Sequence, residues 1–270
     1  MPFLANSDAA PQAGIVEKRF NISVAGRQLE ALQLTGAKSN APTIVFLHEG
    51  LGSISLWRDF PHAVVAATGC SALIYSRYGY GQSDMLCEAR KPDYMHREAL
   101  DVLPALLKKS KIENPILFGH SDGASIALIH AGAGHDVAGI IVEAPHLFVE
   151  AISLRGVAQA AESFRRTDLP KKLARHHRDA EKTFWGWHDV WASGKFRDWN
   201  IETYVSKIRV PILSIQGEQD DYGSAEQVLA IRNACPSNST IHLLRNCGHA
   251  PHTEQFATTL ELLSSFVTSL

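Results

Sequence analysis

Six short apolar runs, separated by longer amphipathic stretches, constrain this chain more than any other feature. The runs are TIVFLH (43–48), SALIYS (71–76), PILFGH (115–120), VAGIIVEA (137–144), PILSIQG (211–217) and STIHLLR (239–245). Unbroken apolar runs of this length read as strands covered on both faces, which is the pattern of a parallel sheet. Helical stretches fall between them, near 55–67, 93–110, 122–132, 223–234 and 253–268. The alternation predicts an α/β fold built on a largely parallel sheet. Pro104, inside the 93–110 stretch, predicts a kink or a late start there. Ahead of the six runs, KRFNISV and RQLEALQL are joined by Ala25-Gly26 and read as a hairpin.

One interval breaks the alternation. From about Pro145 to Asn200 no convincing strand appears, and most of the tryptophans lie there. The expected organisation is therefore one main domain, residues 1–144 and 201–270, interrupted by a helical insertion, residues 145–200. The insertion is expected over the carboxyl ends of the strands, where open α/β sheets bind ligands. A length of 270 residues accommodates this as one α/β domain.

Composition narrows the class of partner. Apolar residues make up 45% and charged residues 20%, which argues against disorder. A net charge of −2 gives no electrostatic reason to seek nucleic acid. No stretch approaches the ~18 apolar residues of a membrane span. The start, Met1-Pro-Phe-Leu-Ala-Asn, has neither a basic region nor an apolar run of signal length. Cys70, Cys87, Cys235 and Cys247 are dispersed and form no CxxC pair, so neither a disulfide framework nor zinc is expected. These features predict a cytoplasmic protein that handles a small molecule, away from nucleic acid and membranes. They leave its oligomeric state open.

The segment with most chemical content is Gly119-His120-Ser121-Asp122-Gly123. It follows the run ILF and precedes ASIALIHA, a good helical start. Strand, GxSxG, helix is the setting of a nucleophile elbow, a strained turn on which small flanking residues let strand and helix approach. Ser121 is the candidate nucleophile. A serine hydroxyl needs a base, and His249 in NCGHAPH, after the last run and before the last helix, is the leading candidate, with His252 as its rival. The base needs an acid to orient it. Asp220 in GEQDD is that acid, with Asp221 or Glu218 as alternatives. Donors for a tetrahedral oxyanion are assigned to the backbone of Asp122 and of Gly50, with Leu51 possible in place of Gly50.

Several other residues are candidates for the substrate pocket. Glu49, Asp122 and Glu143 fall at strand ends or at the elbow, and are either an acidic floor or structural. In the structural case Asp122 would cap its helix and Glu143 would pair with an arginine such as Arg77. His146 is either a pocket histidine or a hinge residue bonded to backbone. Phe184, Trp187 and Trp191 share one helical face, as a pocket roof or as packing. The expected pocket residues are Glu49, Leu51, Trp57, Glu143, His146 and Trp187. The pairs His176-His177 and His249/His252 lack an HExxH or cysteine setting, so no metal is expected. Asp84 stands where a dinucleotide loop would need its third glycine after Gly79 and Gly81. Cys247 reads as a small packing residue.

From about residue 17 onward the chain resembles the α/β-hydrolase superfamily. HEGLG (48–52) is similar to the HGxxG oxyanion loop, with Glu49 in place of a glycine. SRYGYGQS (76–83) is similar to the DxRGxGxS segment, with Tyr78 between Arg77 and Gly79. GHSDG, GEQD and GHAPH follow in order, and the chain order Ser121, Asp220, His249 is that of the superfamily. The resemblance implies a mainly parallel eight-stranded sheet with a helical cap after the sixth strand. It also implies hydrolysis of an ester, lactone, thioester or carbon–carbon bond. The motifs look most like the single-cap group of carboxylesterases, haloperoxidase-like enzymes and meta-cleavage-product hydrolases. Serine at 121 argues against epoxide hydrolases and haloalkane dehalogenases, which use a carboxylate. The expected function is cleavage of a small carboxylic ester or lactone through an acyl-enzyme, with no cofactor. The alternatives are a carbon–carbon bond hydrolase of aromatic ring-cleavage products and a non-catalytic small-molecule receptor on the same fold.

Overall fold

In a computed structural model, which describes residues 15–270, each apolar run forms a strand. The strands are β1 (Val16–Val24), β2 (Arg27–Thr35), β3 (Ile44–Leu47), β4 (Ala72–Tyr75), β5 (Ile116–His120), β6 (Gly139–Glu143), β7 (Ile212–Gly217) and β8 (Ser239–Leu244). They form one eight-stranded sheet in the order β1-β2-β4-β3-β5-β6-β7-β8. The hairpin β1–β2 is antiparallel and joins β4 antiparallel, while all pairings from β4 to β8 are parallel. Ala25 and Gly26 both have positive φ (50° and 75°), the requirement of a two-residue hairpin turn that follows strand twist.

Side chains of the central strands alternate between two cores, as a period of two dictates. Val45, Leu47, Leu73, Tyr75 and Leu117 enter one, and Ile44, Phe46, Ala72, Ile74, Ile116 and Phe118 the other. In chain order the helices are α1 (Phe60–Thr68), α2 (Tyr94–Arg97), α3 (Leu103–Ser110), α4 (Asp122–Gly132), α5 (Ala151–Arg166), α6 (Leu169–Leu173), α7 (Ala180–Trp191), α8 (Glu202–Val205), α9 (Glu226–Ala234), α10 (Pro251–Glu254) and α11 (Phe256–Ser269). α1 packs with α11, and α4 packs with α2 and α8.

The helix boundaries differ from the sequence expectation in three places. The first helix starts at Phe60, after a 3-10 turn over Ile54–Trp57. The last splits into α10 and α11 at Gln255, whose φ of −131° is not helical. Between α2 and α3 a π-helical turn, Glu98–Val102, lies just before Pro104. Proline has no N–H for the carbonyl one turn back, and its ring crowds that turn.

Residues 145–200 contain no strand of the sheet. α5, α6 and α7 lie there, inserted between β6 and β7. Hydrogen bonds fasten this insertion to loops at the carboxyl ends of the strands. Trp191 Nε1 donates to the Tyr94 hydroxyl (3.0 Å), which donates to Asp122 Oδ2 (2.6 Å). His177 accepts from the Gly81 N–H (3.0 Å) and donates through Nε2 to the Leu51 carbonyl (2.9 Å). Thr183 Oγ1 donates to the Gly79 carbonyl. Among the described residues no helix is long and apolar enough to cross a membrane.

Candidate active site

The turn from β5 into α4 carries Ser121 at φ 52°, ψ −116°, a conformation costly for a residue with a Cβ. The glycines on either side are needed for close approach. A Cβ on Gly119 would run into the backbone of Gly123, and a Cβ on Gly123 into the carbonyl of Leu47. The Ser121 N–H donates to the Glu143 carbonyl (2.9 Å), which ties the turn to the end of β6. In the first turn of α4 the Ala124 N–H donates to the Ser121 carbonyl (2.9 Å), which leaves the N–H groups of Asp122 and Gly123 without an intrahelical acceptor.

Three distant stretches meet at this turn. Ser121 Oγ lies 3.0 Å from His249 Nε2. His249 Nδ1 lies 2.9 Å from both carboxylate oxygens of Asp220. An ionised carboxylate only accepts, so the Nδ1 proton sits toward Asp220 and Nε2 faces the hydroxyl as acceptor. Asp220 also accepts from the N–H groups of Tyr222 (2.7 Å) and Gly223 (3.2 Å) and from Gln216 Nε2 (2.8 Å). Burial alone would raise its pKa, but His249 and the Tyr222 N–H hold it at about 2. The two alternative acids are elsewhere: Asp221 lines the cavity and Glu218 is exposed.

The loop after β3 is held from behind. The Glu49 carbonyl accepts from His48 Nδ1 (2.7 Å), Arg77 Nη2 (2.8 Å) and the Gly52 N–H (3.0 Å). The peptide Glu49–Gly50 is trans, so its N–H points opposite to that carbonyl, away from Arg77. Gly50 and Leu51 both line the cavity that contains Ser121 and His249. Gly50 has no room for a side chain, because Trp187 of the insertion lies directly against it. The Glu49 side chain meets His120 Nδ1 at 3.5 Å. Burial pushes its pKa up, yet His120 and His48 hold it well below the usual carboxylate range.

The cavity has a volume of about 330 Å³, near the lower end of the range for small-molecule sites. Its apolar wall comes from the insertion, chiefly Val157, Ala160, Leu169, Leu173, Trp187 and Trp191. Of the six residues expected at a substrate pocket, Glu49, Leu51, His146 and Trp187 line this cavity.

Trp57 and Glu143 do not. Trp57 is buried beneath the site against Phe46, Phe118 and His252, at ring distances of 5.3, 5.3 and 4.8 Å. Glu143 is fully buried and meets His252 Nδ1 at 2.7 Å, not Arg77. Asp122 does not cap α4. Its carboxylate faces Tyr94 and, at 3.5 Å, Arg77. Of the three residues considered for an acidic floor, only Glu49 reaches the cavity. Phe184 stacks on Phe164 inside the insertion (4.1 Å), so the aromatic stripe divides between packing and pocket. Cys247 is buried, and burial pushes its thiol up to about 12, in keeping with a packing role. Among the described residues no group of three or more His, Cys, Asp or Glu is placed to hold a metal ion.

Residues 44–261 match the family model described as the alpha/beta hydrolase family. The chain belongs to the alpha/beta hydrolase family. Its fold is similar to several solved hydrolases. The enol-lactonase from Burkholderia xenovorans LB400 shares 19% identity at a TM-score of 0.70, covering 92% of this chain and 99% of that one. The esterase from Exiguobacterium antarcticum shares 17% at 0.73, covering 92% and 98%. The N-formylmaleamic acid deformylase from Pseudomonas putida S16 shares 15% at 0.68, covering 91% and 100%. At these identities the likeness is one of fold. In this hydrolase the sequence reading missed Tyr222, whose ring lies 4.8 Å from that of His249 in the cavity wall. An aromatic two residues beyond the acid was the available signal. It also missed Val157, Ala160, Leu169 and Leu173, because the periodicity of α5 and α6 does not say which face meets the main domain.

Proposed function

We propose that this alpha/beta hydrolase is a serine hydrolase that cleaves a small carboxylic ester or lactone in two acyl-transfer steps. The observation that carries this reading is the continuous line of hydroxyl, imidazole and carboxylate, at 3.0 and 2.9 Å, opening on one cavity. His249 Nε2 takes the Ser121 proton as Oγ attacks the carbonyl carbon. Asp220, ionised throughout the neutral range, stabilises the resulting imidazolium and keeps the ring in register. The backbone N–H groups of Gly50 and Asp122 receive the oxyanion. Support for Gly50 is the three-donor grip on the carbonyl of Glu49, which turns its N–H the other way. The imidazolium returns its proton to the departing alkoxide. Water, deprotonated by His249, then releases the acid and restores Ser121. No step requires a cofactor.

Residues 145–200 act in this reading as a cap, with Trp187 and Trp191 as its inner wall. The small cavity favours compact substrates. The four cysteines are all unpaired thiols, which suits a reducing cytoplasm.

A fluorophosphonate probe tests the proposal. It should label the protein at Ser121, p-nitrophenyl esters of short acids should be hydrolysed, and Ser121→Ala should abolish both. Absence of labelling in folded protein would favour a receptor. Turnover of a vinylogous diketone from ring cleavage in preference to every ester would favour carbon–carbon hydrolysis.

A further inference from the structure

His146 sits where β6 gives way to the insertion, and its backbone is fixed. Its carbonyl accepts from Ser125 Oγ (2.6 Å), and Ser125 lies one helical turn beyond the nucleophile. Its ring is different. It is 2% exposed, lines the cavity, and packs against Trp191 (4.9 Å) and near His249 (5.9 Å). Among the described residues no group hydrogen-bonds either ring nitrogen; Nδ1 is fully buried, so Nε2 is the nitrogen left open to the cavity. Native proteins rarely leave such a group unpaired, because it forfeits its hydration without compensation. The hinge reading of His146 therefore covers its backbone alone.

We propose that His146 is a specificity-determining residue that hydrogen-bonds an uncharged oxygen, hydroxyl or oxo, on the substrate. The proposal deepens the serine-hydrolase reading and rests on it. Neutral imidazole offers one donor and one acceptor, which a hydroxyl complements in either tautomer. Burial, together with His249 and His120 nearby, holds the ring's pKa down at about 3. It is therefore not a cation awaiting a carboxylate at working pH. A charged ring here would also oppose the imidazolium that His249 must form. The polar lining groups nearest the elbow are already engaged: Ser121 faces His249, and Glu49 faces His120.

Matched substrates test this. We expect p-nitrophenyl 3-hydroxybutanoate to be preferred over p-nitrophenyl butanoate by about tenfold in kcat/KM, the effect of one satisfied buried hydrogen bond. If the oxygen belongs to the leaving group, 2-hydroxyethyl phenylacetate should be preferred over propyl phenylacetate instead. His146→Leu should bring the preference close to one, and His146→Gln, which keeps a neutral donor and acceptor, should restore most of it. The ratio should stay flat from pH 6 to 9. A preference near one in both arms for the unsubstituted protein, or one unchanged in His146→Leu, overturns the proposal. Calorimetric binding of 3-hydroxybutanamide against butanamide needs no chemistry. Together with N-(2-hydroxyethyl)phenylacetamide against N-propylphenylacetamide for the leaving-group side, it judges His146 even if Ser121 fails to label, and equal affinity within both pairs also overturns the proposal.

Discussion

Two histidines, three residues apart beyond β8, each meet a carboxylate from a neighbouring strand end, yet their settings differ. His249 pairs with Asp220 beyond β7, and its far nitrogen faces the Ser121 hydroxyl at 3.0 Å. His252 pairs with Glu143 at the end of β6, and its ring packs against Trp57 and Phe60 at 4.8 and 5.5 Å. Asp220 is surrounded by donors, whereas Glu143 Oε1 has no hydrogen-bond partner. In the proposed mechanism the acid–imidazole pair is therefore not enough to mark a catalytic base. The third partner is what separates them: a strained serine for one pair and an aromatic core for the other.

Breaking the two histidines in turn gives the largest contrast. His249→Ala should lower kcat for a short p-nitrophenyl ester by about 10⁴-fold or more, since the base and nucleophile act as a unit. His252→Ala should lower kcat less than tenfold in protein that remains folded, with the melting temperature falling instead. Equal losses of kcat would mean that His252 shares the proton. The acids sharpen the same comparison. Asp220→Asn should cost about 10³- to 10⁴-fold through the wrong tautomer of His249. Glu143→Gln should spare most activity and, by disrupting a buried pair, cost about 3 kcal/mol of stability in denaturant titration.

Why one histidine was readable in the sequence and the other pair was not comes down to what periodicity encodes. The strand positions, the inserted helices and Ser121, Asp220 and His249 follow from apolar runs and from residues placed just past them. The direction of a side chain at a strand end does not. Glu143 spends its carbonyl on the Ser121 N–H while its carboxylate turns to His252. Trp57, close in sequence to the loop after β3, lies in a 3-10 turn that buries it under Phe46 and Phe118. The cavity wall from the insertion depends on how α5 to α7 dock. That docking is set by long-range bonds such as Trp191–Tyr94 and His177–Gly81, which no local pattern announces.

The seam between the two regions gives a smaller expected effect. Gly50→Ala places a methyl group against the Trp187 indole. Either the loop carrying the Gly50 N–H or the indole must move, and displacements of about 1 Å can cost ~10²-fold in rate. We expect kcat/KM to fall about 10- to 100-fold with KM less affected, and Trp187→Phe in the same protein to recover part of the loss. Unchanged kcat would mean that Gly50 is not a donor.

The smallest effect concerns histidines that have no carboxylate partner. Burial holds His146 at about 3, and His130 and His177 at about 4, each against an ordinary 6.5. A lowered folded pKa means that the unfolded chain binds the proton first, so stability falls as the pH drops below 6.5 and continues to fall toward the folded values. At pH 5 each should cost about 2 kcal/mol relative to pH 7. Asp220, held at about 2, adds nothing to that window. Its contribution persists above its unfolded pKa of 3.8 and fades only below it. Denaturant titrations at pH 7 and pH 5 should therefore show a steep loss, and His177→Asn, weaker at pH 7, should lose about 2 kcal/mol less between the two. An equal loss in both proteins would mean that the folded state does not hold the His177 ring neutral, and that its bonds to Gly81 and Leu51 do not fasten the insertion.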